Sequence, residues 1–396
     1  MKYLVSILML LMASSANAQF VLRGLLTDPA TEKRLAGASV FLSNTSVGTV
    51  TNANGEFELN VPPGRYELII SFIGYETVSR TISGNSEGLL KIEMKPKAKM
   101  LDEVVVGGYE KDGWAKFGRF FTEQFIGTSE MADGCKIKNH KAIKFRNSIK
   151  NNKLTVIANE PLVIENKSLG YTVTYQLENF EYDFTSHFLT YLGYPLFTPM
   201  QGGVAKEKRW KKNRDEVFDG SMIHFMRALY RNKLMEEGYQ VRRLVKTPNK
   251  EKKRVQAIYK SGPPPADSTQ YYERILAEPD EHSTFSPYTI TGDSIAFAFD
   301  SVTAGVEFSN YLHIYYPSKT TSARYRAYSP RNDKAMSEIA LVRPEPIEVQ
   351  SNGNFSDPLN LVSLGYWSWS EKIANMLPFD YRPVIANARG NALKKR

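Results

Sequence analysis

Residues 48–75 read GTVTNANGEFELNVPPGRYELIISFIGY, and the punctuation of this stretch decides the N-terminal fold. Asn52-Ala53-Asn54-Gly55 separates two short runs, Thr49–Thr51 and Phe57–Val61. Asn and Gly tolerate the left-handed backbone that a tight hairpin turn needs. Pro62-Pro63-Gly64 turns the chain again, Tyr66–Phe72 is an apolar run of the kind buried in a sandwich, and Gly74-Tyr75 ends it. Outward from this centre, Phe20–Leu26 and Ala38–Leu42 precede it, with Asp28-Pro29 as a turn, and Val78–Ile82 and Leu89–Met94 follow. Short runs at this spacing predict a small antiparallel sandwich of about seven strands over residues 20–96.

The same residues carry a resemblance. Gly24, then Leu35-x-Gly37-Ala38-x-Val40, Gly48-Thr49-x-Thr51-x-x-x-Gly55-x-Phe57, Pro63-Gly64-x-Tyr66-x-Leu68 and Ser71-x-Ile73-Gly74-Tyr75 follow one another in order. This part of the chain resembles the carboxypeptidase-regulatory-like domain, a transthyretin-like sandwich with a carbohydrate-binding-like fold, common on exported proteins of Bacteroidetes-type bacteria. The motif's Gly and Pro positions are turn positions, so the resemblance implies a fold and no catalysis. Leu101-Asp102-Glu103-Val104-Val105-Val106 is similar to the segment that follows this domain in TonB-dependent receptors. The remaining chain is too short for the plug and barrel of such a receptor and shows no train of amphipathic strands. Two readings of 101–106 stay open, a strand tail with linker or a TonB-contacting segment.

Ahead of the domain, Lys2, the apolar run Leu4–Ala13 and Ala16-Asn17-Ala18 form the three parts of a secretory signal. Residues 1–18 are expected to be removed, with cleavage between Ala18 and Gln19. The apolar run is too short to span a bilayer, and no later stretch of the sequence is long and apolar enough for a transmembrane helix. Export is expected, to the periplasm, the outer membrane or the exterior. The only cysteine is Cys135. It excludes an internal disulfide, and its position is wrong for a lipid anchor.

The expected organisation is a signal peptide at 1–18, the sandwich at 19–96, a linker at 97–112 and an uncharacterised α+β, β-rich region at 113–396. Within that region Trp114, Phe117, Phe120, Phe121 and Phe125 predict a helix with one aromatic face. Residues 136–198 predict strands, with Gly193-Tyr194-Pro195 ending the run. A long helix is expected near 206–237. Phe218, Met222, Phe225 and Leu229 would line its buried stripe, and His224, Arg227 and Arg231 its opposite face. Residues 247–282, with Pro248, Pro263-Pro264-Pro265 and Pro279, read as an exposed connector. Ile295–Phe299 and Val306–Tyr316 read as a hairpin around Thr303-Ala304-Gly305. Glu165-Asn166-Lys167-x-Leu169-Gly170-Tyr171, Phe225-x-x-Ala228-Leu229-Tyr230 and Gly365-Tyr366-Trp367-x-Trp369 resemble recurring pieces in an uncharacterised C-terminal part of exported proteins from the same bacteria. No activity is implied by that resemblance.

Hydrophobic residues make up 42% and charged residues 23% of the 396-residue chain, which excludes disorder, collagen and coiled coil as readings of the whole. The net charge is +9, and residues 206–254 hold 16 Lys and Arg against 7 Asp and Glu, so this one segment carries the whole excess. Lys208, Arg209, Lys211 and Lys212, within the cluster from Lys206 to Arg214, are candidate contacts for a polyanion. In the envelope such anions are lipid head groups, lipopolysaccharide phosphates and acidic glycans; nucleic acid is no natural partner of an exported protein. A solvated helix face is the plain alternative.

The chemistry of a zinc carboxypeptidase is missing. His140, His187, His224, His282 and His313 include no His-x-x-Glu and no His-Glu-x-x-His. Gly84-Asn85-Ser86-Glu87-Gly88 matches a nucleophile elbow formally but joins two strands, where the elbow needs a strand and a helix. No catalytic, metal or cofactor residue is assigned, and no cofactor is expected. The expected function is a non-enzymatic envelope protein that binds an envelope protein or glycan, or assists assembly. The alternatives are a hydrolase drawing on residues such as Glu123, Asp183 or His187, and a TonB-linked accessory protein.

Overall fold

The computed structural model describes residues 20–83, 88–97, 108–262, 267, 269–330 and 333–383. The expected cleavage site at Ala18 and Gln19, the Gly84–Glu87 turn, Leu101–Val106 and Pro263-Pro264-Pro265 lie outside the described residues. The chain forms two compact units. One holds Met1–Ile223, Gln350–Asn354 and Ser370–Arg396, the other His224–Val349 and Phe355–Trp369.

The first unit opens with seven strands, β1 (Phe20–Thr27), β2 (Ser39–Leu42), β3 (Gly48–Val50), β4 (Glu56–Val61), β5 (Arg65–Ser71), β6 (Val78–Ser83) and β7 (Leu89–Glu93). They form two sheets, in the orders β4-β1-β7 and β3-β2-β5-β6. β4 shows the alternation expected of a half-buried strand, with Phe57, Leu59 and Val61 inward and Glu56, Glu58 and Asn60 outward. The sandwich has a core of its own, from Leu22 through Leu42, Leu68 and Ile70 to Met94, drawn only from residues of this domain. One feature departs from the antiparallel expectation: β7 runs parallel to β1, because the chain returns from the second sheet and enters the first along the direction of β1.

Helix α1 (Gly113–Phe125) and strands β8 (Cys135–Ile137), β9 (Ile143–Ser148), β10 (Lys153–Ala158), β11 (Leu162–Asn166), β12 (Tyr171–Asp183) and β13 (Phe188–Pro199) complete the β-rich part of this unit. The sheet order is β8-β11-β12-β10-β9, with β13 along the other side of β12. Phe121 and Phe125 of α1 are fully buried and pack edge-on against Phe180 and Tyr175 of the sheet. Gly193-Tyr194-Pro195 does not end the strands; it lies inside the twelve-residue β13. Pro195 turns its nitrogen away from β12, on the side where its carbonyl accepts from Asn44 N–H at 2.8 Å, so the β12 ladder loses no hydrogen bond, and Gly193 makes room for the Tyr175 ring.

The long helix expected at 206–237 is two helices, α2 (Val204–Phe218) and α3 (Met222–Tyr230). Gly220, at φ 75°, breaks it, since a left-handed residue cannot continue a right-handed helix. The break redistributes the apolar stripe. Phe218 belongs to the core of the first unit, whereas Phe225 and Leu229 are buried in the second. The polar face is corrected too. His224 and Arg227, expected outside, are 8% and 4% exposed; Arg231 is exposed as expected. A new helix axis after Gly220 carries a new buried face, and every residue from Ile223 to Leu229 is buried.

The second unit continues with β14 (Gln240–Pro248), α4 (Lys250–Ser261), α5 (Thr269–Ala277), β15 (Glu281–Phe285), β16 (Ala296–Ala298), β17 (Thr303–Val306), β18 (Tyr311–Tyr315), α6 (Ala323–Tyr328), β19 (Met336–Leu341), β20 (Ile347–Gln350), β21 (Leu361–Gly365) and α7 (Tyr366–Ser370). An antiparallel sheet runs β15-β14-β18-β19-β21, beside a smaller sheet β16-β17-β20. The segment 247–282 is not a connector but an arm: β14 and β15 pair directly, and α4 and α5 grow from their hairpin, packed on each other through Val255, Tyr272 and Ile275. The prolines bound it, Pro248 closing β14 and Pro279 preceding β15. Similarly, β16 and β17 make the hairpin, while Tyr311 starts a strand of the larger sheet.

Phe225, fully buried and edge-on to Tyr239 and Trp367, should cost roughly 3–5 kcal/mol on truncation in Phe225→Ala. Arg227→Ala should cost at least about 1 kcal/mol, because a buried group loses its partner; chemical denaturation of both variants measures this, and a neutral Arg227→Ala would contradict the buried face. A fragment of residues 20–97 should melt cooperatively on its own separate core, and a broad transition would contradict that independence.

Candidate functional site

Helix α2 is built to show one face and commit the other. At about 100° per residue, Lys208 and Lys212 lie about 160° from Trp210. Trp210 is 5% exposed, and its indole Nε1 donates to Lys167 O at 2.8 Å. Asn213 Nδ2 donates to Ser168 O at 2.8 Å. Arg214 donates from Nε to Leu169 O at 2.6 Å and from Nη2 to Gly170 O at 3.1 Å, and its guanidinium lies 4.0 Å from the Tyr171 ring centroid. Four consecutive carbonyls of the turn between β11 and β12 thus receive donors from one helix. Gly170, at φ 70°, lets the turn close under the indole: a Cβ there would stand 2.2 Å from Trp210 Cδ2.

Asn166 holds the other side of that turn. It is 1% exposed, accepts from Leu169 N–H at 3.0 Å and donates to Ala374 O at 2.9 Å. The Glu165–Tyr171 motif therefore contains, from Asn166 onward, a docking piece for α2 and for the C-terminal segment. Tyr381 fixes the helix further along, donating to Asp215 Oδ1 at 2.5 Å.

The outward face carries the sequence-predicted residues. Lys208, Arg209, Lys211 and Lys212 are all exposed. Lys211 pairs with Asp215 at 2.7 Å; Lys208, Arg209 and Lys212 make no ion pair among the described residues, and Lys206 adds a further exposed cation at the start of the helix. The structure brings these cations to one helix surface, anchored from behind by Trp210, Asn213 and Arg214. The anchors escape sequence reasoning, because their partners lie some forty residues away; a Trp inside a run of cations is the only local sign.

The lone thiol, the histidines and the carboxylates singled out in the sequence each have identifiable neighbours. Cys135 donates to Met131 O, and burial pushes its thiol up to about 12. His140 stacks on Trp114 at 4.8 Å, and His187 Nδ1 lies 3.3 Å from Tyr182 Oη. His224 Nε2 and Glu237 Oε2 are 3.0 Å apart, and Arg231 Nη2 reaches Glu237 Oε1 at 2.7 Å. Burial pushes His313 down, and Phe285 packs edge-on to its ring. Glu123 pairs with Arg119, while backbone N–H groups of Ser186 and Thr185 hold Asp183 below the usual carboxylate range. Among the described residues no group of three or more His, Cys, Asp or Glu is placed to hold a metal ion, and no helix is long and apolar enough to cross a membrane.

A cleft of about 500 Å³ lies at the base of the α4–α5 arm, lined by Lys246, Pro248, Lys253, Pro279, Asp280, Glu281 and Ser283. Asn249, 1% exposed, is the keystone of that base: it caps α4 by accepting from Lys252 N–H at 3.0 Å and donates to Glu278 Oε2 and Pro279 O at 3.0 and 3.2 Å. Lys246 pairs with Glu338 at 2.5 Å and Lys252 with Asp280 at 3.0 Å.

Residues 22–106 match the family described as the CarboxypepD_reg-like domain. The chain is 37% identical over 75 residues to TonB-dependent receptor P39 of Formosa agariphila, covering 19% of this chain and 7% of the receptor. It is 32% identical over 91 residues to TonB-dependent receptor SusC of Bacteroides thetaiotaomicron, covering 23% of this chain and 8% of that one. The chain thus spans less than a tenth of either receptor's length. Among solved structures, catechol 1,2-dioxygenase of Pseudomonas arvilla aligns over 22% of this chain and 55% of its own at 13% identity and a TM-score of 0.18. A Bacteroides fragilis protein of unknown function aligns over 84% of this chain and 93% of its own at 10% identity and a TM-score of 0.16. At these scores neither likeness carries an argument.

Lys372, beside Tyr191 with its Nζ 5.7 Å from the ring centroid, is pushed down to about 8 by burial. Below about pH 8 the folded and unfolded chains both carry this charge, so the burial penalty is constant. Between about pH 8 and 10.5 only the unfolded chain stays protonated there, so stability rises with pH. Lys372→Met should exceed the parent in unfolding free energy at pH 7 by up to about 3 kcal/mol, and the gap should close by about pH 10.5; denaturant titrations across that range measure it, and a gap that widens would contradict the burial.

Proposed function

We propose that the chain is a non-enzymatic binding or assembly protein of the cell envelope, which meets an anionic envelope surface through the outward face of α2. The observation that carries this reading is the anchored helix, whose inner side is consumed by Trp210, Asn213 and Arg214 while Lys206, Lys208, Arg209, Lys211 and Lys212 face solvent. A helix held from behind presents its charges in a fixed pattern, so little ordering entropy is lost when an anionic surface docks. The envelope setting is supported by the N-terminal domain, which TonB-dependent receptors also carry. The absence of enzymatic activity is supported by the engagement of Cys135, His140, His187 and His224 with structural neighbours. The surface is a leaflet or glycolipid layer bearing phosphate, since each cation near such a surface contributes about 1 kcal/mol.

The attraction decays over about 8 Å at 0.15 M salt, so association should be strong at low ionic strength and fall steeply as salt rises. Co-sedimentation of the chain with phosphatidylglycerol vesicles measures this. Changing Lys208, Arg209, Lys211 and Lys212 together to Gln should abolish binding with the melting curve intact. Binding that ignores salt, or survives the quadruple change, would remove α2 as the contact.

A further inference from the structure

Strand β15 forms one border of the larger sheet of the second unit, and all five of its residues, Glu281 to Phe285, are exposed. Only β14 pairs with it among the described residues. The backbone groups that remain open follow from the register. Asn249 N–H donates to Asp280 O at 2.8 Å and Ser286 N–H to Arg243 O at 2.9 Å, so the alternation of an antiparallel ladder makes Thr247 with His282 and Val245 with Thr284 the hydrogen-bonded pairs. Glu281, Ser283 and Phe285 therefore turn their N–H and C=O groups away from the sheet. Pro248 faces Glu281 in a pair that exchanges no hydrogen bond, so the ladder loses nothing to it. Edges of natural sheets are commonly blunted by proline, lysine or a bulge; β15 contains no proline or lysine, and its pairing with β14 has an unbroken register.

The side chains beside this edge are equally specific. Glu281, Ser283 and Phe285 alternate onto one face. Glu281 makes no ion pair among the described residues and lines the cleft at the base of the arm, whereas the cleft's other carboxylate, Asp280, is taken by Lys252. Phe285 is 45% exposed and braced edge-on against His313 at 5.1 Å. Lys253 lines the cleft from the arm, but the residue directly opposed to an incoming strand is Glu281. Cross-strand neighbours sit about 5 Å apart, where opposite charges and apolar pairs are favoured.

We infer that β15 is a docking edge for an extended peptide segment of a partner protein, which adds as a sixth strand with a cation opposite Glu281 and a large apolar side chain opposite Phe285. Main-chain hydrogen bonds to Glu281, Ser283 and Phe285 supply the attachment, and the two side chains four residues apart set the register. The arm, rising where β15 begins, limits sliding in that direction.

A displayed library of random twelve-residue peptides, selected on the full chain, is the probe. Enriched peptides should carry Lys or Arg four residues from a large apolar residue. Ser283→Pro removes an outward N–H while sparing the β14 ladder, and should weaken a selected peptide at least tenfold in fluorescence anisotropy with the melting curve unchanged. Glu281→Lys should switch the selected charge from basic to acidic, a readout that a merely folded or unfolded variant would not give. Sedimentation of the free chain covers the other occupant. Enrichment equal on Ser283→Pro, peptides without the paired signature, or a concentration-dependent dimer dissolved by Ser283→Pro in place of peptide binding would each overturn the proposal.

Discussion

Four carbonyls in a row, Lys167 to Gly170, are taken up by three side chains of α2. Without α2 the carbonyls of Lys167, Ser168 and Leu169 would be left to water, while Gly170 O also accepts from Met200 N–H at 3.0 Å. Neutral hydrogen bonds contribute about 0.5–1.5 kcal/mol each and those to a charged donor such as Arg214 about 1.5–3 kcal/mol. The capture also fixes orientation: with Trp210 pinned against Gly170 and Gly202, the helix cannot roll, and its cations can only point away. Asn166, bonded both to the turn and to Ala374, ties the C-terminal segment to the same point.

The rest of the chain follows a related economy, in which buried polar groups sit at junctions. Asn249 holds the arm to its hairpin as Asn166 holds the turn to its helix. His224, from the buried face of α3, is linked through Glu237 to Arg231 just past the helix end, at the start of the second unit. The sandwich stands apart in having a core wholly its own, which suits a segment that is matched in receptors more than ten times its length.

The sandwich was legible because each of its turns is written locally. Asn52 to Gly55 and Pro62 to Gly64 state where the chain reverses, and the runs between them have the period of a strand. The β-rich character of the later region was legible for the same reason. What was not legible required distant partners. Gly220 looks like any glycine inside an amphipathic pattern until the helix is seen to change axis there, and that change buried His224 and Arg227. Pro248 and Pro279 suggested a connector, although they bound an arm whose helices bury only a small core of three residues. The exposed cations of α2 could be named from charge alone. The anchors Trp210, Asn213 and Arg214 could not, since nothing near them in sequence specifies the turn they hold. Strand β15, Glu-His-Ser-Thr-Phe, lacks any apolar alternation because neither of its faces is buried.

The central claim is that α2 stands preformed, with its cations aimed outward by the captured turn. Amine-reactive footprinting of the full chain, with and without phosphatidylglycerol vesicles at low salt, tests it directly. The account predicts protection at Lys206, Lys208, Lys211 and Lys212 and none at Lys250 and Lys260 of the arm. Protection of the arm with α2 unchanged, or uniform protection of all lysines, would contradict it.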